Sequence, residues 1–342
     1  MRATNHITAI IFMVLAAGAA QAAPLYHLAE IVPLGGGVKW DYLAFDPAST
    51  RVYVSHGNEV TVVDVRHGKV IGELANLPGS HGIAVDPVSK LVYADSAGRS
   101  VLVGYNPKTL APVKSAPVLN DADGVTYDPY SRQVFVSGGD GDGFTPVSTI
   151  TGKAAPNIDL GTSPEFHVSD GRGSVYVDLV DAGAIARINS LTDKVTARWP
   201  VAPCVHPKGL AIDSVSRRLF ASCANAIGVV MDADDGKVLA ALPIGKGTDA
   251  ARFDPRDGRF LTSNGDGTLS VIREIGPNNF SVLGTIRTAL GARTMALDPA
   301  TGQLFLVTAT VTKIIPQAAS GDHAHYVFAP GSLKLLVFAP GA

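Results

Sequence analysis

One phrase recurs seven times along this 342-residue chain, and it constrains the fold more than any other feature. An apolar triplet leads into an anchor residue, usually an aspartate followed by proline. Five to seven residues later comes a short strand carrying an aromatic. The anchors are Asp46, Asp86, Asp128, Ser169, Asp213, Asp254 and Asp298, separated by 40, 42, 41, 44, 41 and 44 residues. A period near forty built from short strands predicts a β-propeller, in which each unit buries its faces only against its neighbours. The expected fold is all-β: a seven-bladed β-propeller with four-stranded blades.

The register supports this. Seven residues after each anchor stands Tyr53, Tyr93, Phe135, Tyr176, Phe220, Leu261 or Phe305. Apolar residues one and three before the anchor share a face of the preceding strand, as a two-residue repeat requires. The Asp-Pro pair and the polar residues after it are turn chemistry. Each unit therefore opens with a hairpin, strand A then strand B, followed by strands C and D.

The last unit departs from this order. Its C strand is expected at Leu333–Phe338, after which the chain stops, while Leu25–Val32 reads as an unclaimed D strand at the other end. Pairing the N-terminal strand into the C-terminal blade would close the ring and remove open edges. Between strands B and C of that unit lies a long insertion, 309–332, read either as a lid over one end of the ring or as a floppy excursion.

Residues 1–22 read as a cleaved secretory signal: Arg2, the apolar run Ala9–Ala19, then Ala20-Gln21-Ala22. The remainder, 23–342, is expected to be one propeller domain, exported to a bacterial periplasm, without a membrane span and monomeric. The formal charge is −2, with no Lys/Arg run, which argues against a nucleic-acid partner and leaves a small molecule or a protein. Cys204 and Cys223 are the only cysteines. They fall at one end of the fifth hairpin and read as a disulfide, or alternatively as thiols for a soft metal.

Candidate chemistry gathers where strand A begins. Five residues before the anchors stand Asp41, His81, Asp123, Pro164, Lys208, Asp249 and Arg293, with Trp40, Glu165, His206 and Thr294 beside them. Strand B returns to the same end with His56, Asp95, Ser96, Asp140, Asp178, Cys223, Asn225, Asn264, Asp266 and Thr308. The ligand-binding set is thus Trp40, Asp41, His56, His81, Asp123, Glu165, His206, Lys208, Asp249, Asn264 and Arg293, around a concave mouth. The other reading is a solvated rim whose charges neutralise one another. His81, Glu165 and His206 are the candidate ligands for a divalent metal. His81, Asp123, Glu165 and Arg293 are the candidate catalytic groups, as an acid–base set with a cation for an anion. Trp40 is placed to stack on a ligand. Gly138–Gly143 resembles a calcium loop but lacks the spacing and closing Glu of an EF-hand, and reads as a turn.

Tyr53-Val54-Ser55, Phe135-Val136-Ser137, Tyr176-Val177-Asp178 and the strand C phrase Val229–Lys237 resemble the YVTN-type forty-residue repeats of YncE-like periplasmic propellers. The resemblance runs from about residue 25 to 338. It implies the propeller and the export, and brings no catalytic residues with it. Three functions stay open: a non-enzymatic binding or scaffolding propeller, a metal-assisted lactonase, hydrolase or lyase, and an electron-transfer or cofactor-carrying propeller.

Overall fold

The computed structural model describes residues 25–139, 141–276, 278–316 and 324–341. The expected leader 1–22 lies outside them, as do Asp140 and, in the 309–332 insertion, Gly321, Asp322 and His323. The described residues form seven four-stranded antiparallel sheets and one two-stranded hairpin. Strands A, from blade 1 to blade 7, are Trp40–Asp46, Ile83–Asp86, Ala122–Asp128, Pro164–Ser169, Pro207–Asp213, Thr248–Asp254 and Met295–Leu297. Successive strands A contact one another round the ring, including blade 7 to blade 1. Among the described residues helical structure is limited to one 3-10 turn, Ala97–Arg99.

The anchor aspartates explain the hairpins. Asp46 accepts from the Ala48 amide at 3.0 Å and Asp86 from the Val88 amide at 2.8 Å. Asp213 accepts from the Val215 amide at 2.9 Å, and Asp298 from the Ala300 amide at 2.9 Å. Each is an Asx turn, in which the side chain satisfies backbone donors that the reversing chain leaves unpaired. Four residues after the anchor the backbone is left-handed even at Thr50, Lys90, Arg132 and Arg217, with φ of 53°, 58°, 58° and 61°.

The residues seven after the anchor fill the wedges between blades. Tyr53, Phe135, Tyr176, Phe220, Leu261 and Phe305 are fully buried and Tyr93 nearly so. Each contributes about 1.5–3 kcal/mol on removal from water. Phe220 stacks on Phe260 of the next blade at 5.4 Å, and Phe45 on Phe305 across the blade 7–blade 1 seam at 5.2 Å.

Closure follows the expected route. In blade 7 the strand order is Tyr26–Pro33, Lys334–Pro340, Leu304–Thr308, Met295–Leu297. The N-terminal strand pairs antiparallel with the C-terminal one from Tyr26↔Pro340 to Pro33↔Lys334. Cys204 and Cys223 are joined in a disulfide, with their Cα atoms 5.5 Å apart. The described part of the 309–332 insertion is a β-hairpin, Val311–Ile315 against His325–Phe328.

Near the axis the sheets are tight. A Cβ on Gly82 would lie 2.5 Å from the Val125 amide of blade 3, and one on Gly209 would lie 2.8 Å from the Ala250 carbonyl carbon of blade 6. Glycine there lets adjacent strands A converge. In blades 1, 3, 4, 5 and 6 the A–B ladder skips at this level, between Trp40/Leu43, Ala122/Val125, Pro164/His167, Pro207/Gly209 and Thr248/Ala250. Such bulges re-aim side chains.

Candidate functional site

At the end of the ring where strands A begin, neighbouring blades are joined by charge. Going round, the residues are Asp41, His81, Asp123, Glu165, Lys208, Asp249 and Arg293. His81 Nδ1 lies 2.7 Å from Asp41 Oδ2 and 3.5 Å from Asp123 Oδ1. Lys208 Nζ lies 3.2 Å from Glu165 Oε2, and Arg293 Nε 2.9 Å from Asp249 Oδ2. Pro164 holds the fifth position before its anchor, but it is Glu165, one residue on, that meets Lys208.

A ring of seven cannot alternate in sign all the way round. Acid and base alternate here everywhere except between blades 3 and 4, where Asp123 is followed by Glu165. The protonation equilibria carry that mark. Burial, then the neighbouring Asp41, pushes the Asp123 carboxyl up to about 7. Burial, then Asp249, pushes Glu165 up to about 8 despite Lys208. The hydrogen bond that His81 donates to Asp41 raises its pKa to about 9, so it is an imidazolium at neutral pH. Asp41, His81 and Asp123 offer one ligand atom each within 4.8 Å of one another.

Blade 4 has a second irregularity beneath this junction. Nine residues after the anchor stand Ser55, Asp95, Ser137, Asp178, Ser222, Ser263 and Val307. The serines of blades 1, 3, 5 and 6 bond main-chain groups at the start of a strand A. Asp95 accepts from two amides, His81 at 2.8 Å and Gly82 at 3.1 Å. Asp178 is fully buried, and among the described residues neither of its oxygens has a hydrogen-bond partner. Burial, then Glu165, holds it well above the usual carboxylate range. The donor that His81 supplies in blade 2 falls on Pro164 in blade 4, which has no N–H.

Other residues expected at the mouth do different work. His56 is buried, its Nε2 2.5 Å from Thr61 Oγ1, and burial lowers its pKa. Asn264 is buried and donates to Thr268 and Ser270 at 3.0 and 3.2 Å. Both tie strand B to strand C. His206 is exposed on the loop before strand A of blade 5, at φ 50°. The three-ligand cluster of the described residues contains neither it nor Glu165. Trp40 is partly buried and meets Phe328 of the insertion hairpin edge to face at 4.7 Å. That hairpin thus leans on the rim of the mouth at blade 1.

The channel below the ring is crossed. Tyr42 of blade 1 and Phe166 of blade 4 meet edge to face with centroids 5.4 Å apart. The Arg252 guanidinium of blade 6 lies 4.9 Å over the Phe166 ring. Beyond them is a cavity of about 600 Å³ lined by all seven strands A and reaching Pro129, Gly171 and Ser214, turn residues at the opposite end. Two residues before the anchor, its wall is Ala44, Ala84, Thr126, His167, Ala211, Arg252 and Ala296. Sequence reading passed over this level because four alanines and a threonine look like scaffold. The signal was the large bases His167 and Arg252 in a small-residue register.

No family model matches the sequence, and no curated protein matches it. Among solved structures the chain is similar to Kuenenia stuttgartiensis hydrazine synthase at 13% identity and TM-score 0.68, covering 94% of this chain and 100% of that one. It is similar to the RRP9 WD40 repeats at 8% identity and TM-score 0.73, covering 91% and 97%. It is also similar to U3-55K at 8% identity and TM-score 0.72, covering 90% and 98%. At such identities these likenesses carry the propeller architecture alone.

Proposed function

We propose that this chain is an exported binding propeller of the YVTN-repeat, YncE-like kind, which recognises the cationic group of a ligand or protein partner at its charged mouth. The observation that carries this is the like-charged junction of Asp123 and Glu165, the one step of the ring where acid follows acid and burial raises both carboxyls. A cation seated between them displaces a proton from the pair, while the outer partners His81 and Lys208 stay at 3.5 and 3.2 Å. The leader-like residues 1–22 and the Cys204–Cys223 disulfide support export to an oxidising compartment. The test is calorimetric titration with Mn²⁺, Zn²⁺ and spermidine in two buffers of different ionisation enthalpy. Binding of one of them with proton release, lost in Asp123→Asn/Glu165→Gln, is the expected result. No binding by any probe would sink the proposal.

A second reading, metal-assisted hydrolysis of a lactone or ester, is favoured by the Asp41–His81–Asp123 cluster, whose donor types suit a divalent ion. It requires metal-dependent turnover in a lactone and ester screen that His81→Ala abolishes.

A further inference from the structure

The far cavity has chemistry of its own. Its floor is Arg252, packed on Phe166 beside Tyr42. Among the described residues Arg252 makes no ion pair. Its hydrogen bond is from Nη1 to the Ala251 carbonyl at 2.8 Å. Burial lowers its pKa to about 10. A half-buried guanidinium without a counter-ion is costly unless an anion arrives. His167, the other base at this level, is turned aside: it packs on Phe144 at 4.7 Å and is buried.

The walls above Arg252 are mixed, with Ser169 and Ser214 among apolar residues and with Asp170, whose carboxylate Arg217 holds at 2.8 Å. Alanine methyls give way toward the opening to Phe45, Val85, Ile212, Phe253 and Leu297. The volume of about 600 Å³ falls in the range of small-molecule sites. Glu165 reaches the lining from the mouth side but is engaged by Lys208 at 3.2 Å.

We propose that this cavity binds a monocarboxylate with an apolar body, head first, its carboxylate on Arg252 and its body along the alanine-lined channel. A planar fork fixed against an aromatic face matches a carboxylate with two parallel hydrogen bonds. A dianionic phosphate fits less well, because no second cation waits at this level: Arg293 and Lys208 are held at the mouth by Asp249 and Glu165. The site lies at the other end of the channel from the charged ring and does not rest on the function proposed for that ring.

The experiment is isothermal titration of the protein at pH 7.5 with dodecanoate below its micellar concentration and with dodecanol below its solubility limit. Dodecanoate is expected to bind one to one, about 20-fold more tightly than dodecanol, as a charge-assisted pair predicts. Arg252→Gln should bring dodecanoate down to the level of dodecanol, and Ala211→Phe, which fills the channel, should abolish both. Equal affinity of the wild type for the two probes overturns the proposal whatever the folding of the variants. So does undiminished dodecanoate binding by Arg252→Gln.

Discussion

The backbone amide of His81 donates to Oδ1 of Asp95 at 2.8 Å, and the same register in blade 4 offers Asp178 no such donor because Pro164 stands there. Asp178 is therefore a buried carboxyl without a hydrogen-bond partner among the described residues. Replacing it with the serine that four other blades carry should stabilise the protein by about 1–2 kcal/mol at pH 8. Chemical denaturation of Asp178→Ser reads this directly. A lower midpoint than wild type would mean that Asp178 has a partner after all.

The charged ring should make stability fall with rising pH. His81 has a folded pKa of about 9, above its ordinary 6.5, so its contribution is complete below pH 6.5 and lost as pH climbs through 9. Asp123 at about 7 and Glu165 at about 8 are also raised, so the native state favours their protonated forms. Stability then declines as pH rises from each ordinary value through the folded one. All three slopes share a sign above pH 6.5. The loss between pH 6.5 and 9 should be on the order of 2–4 kcal/mol, smaller in Asp123→Asn/Glu165→Gln. Urea midpoints across that interval check it, and a flat wild-type profile would contradict it.

Gly209→Ala should cost about 2–3 kcal/mol, because the added methyl meets the main chain of Ala250 and Ala251 and not a side chain that can rotate away. Gly258→Ala, in a turn with open space around it, pays only for its left-handed backbone, about 1 kcal/mol. Thermal melts of the two variants should rank in that order.

Deleting residues 25–33 leaves the Lys334–Pro340 strand as an open edge and strips cover from Tyr26 and Val32 contacts in the core. The truncated chain should melt at least about 10 °C lower or aggregate, as unpaired edges do. A melting curve superimposable on the full chain would show that closure is dispensable.

Reducing the Cys204–Cys223 bridge, which spans 19 residues, should cost about 3 kcal/mol through the freedom restored to the unfolded chain. Cys204→Ser/Cys223→Ser compared with wild type, with and without reductant, measures it.

Much of this architecture was legible in the residues. The anchors and the aromatics seven positions later repeat because every wedge solves the same packing problem, and the stray D strand at Leu25–Val32 had one place to go. Six of the seven ring residues were readable from their register. Glu165 entered one position late because Pro164 takes the regular place. His56 and Asn264 stand at the expected strand ends, opposite Trp40 and Thr248, but turn inward to brace strand C, which nothing local announces. The meeting of Tyr42 with Phe166 was out of reach, since the two are 124 positions apart in a chain whose period says only that their blades are not neighbours.

That meeting has a further consequence. Two aromatic rings and a guanidinium from three different blades meet across the bore and narrow it between the charged ring and the cavity. The two proposed sites would then admit guests of opposite charge from opposite ends, with that constriction as the surface they share.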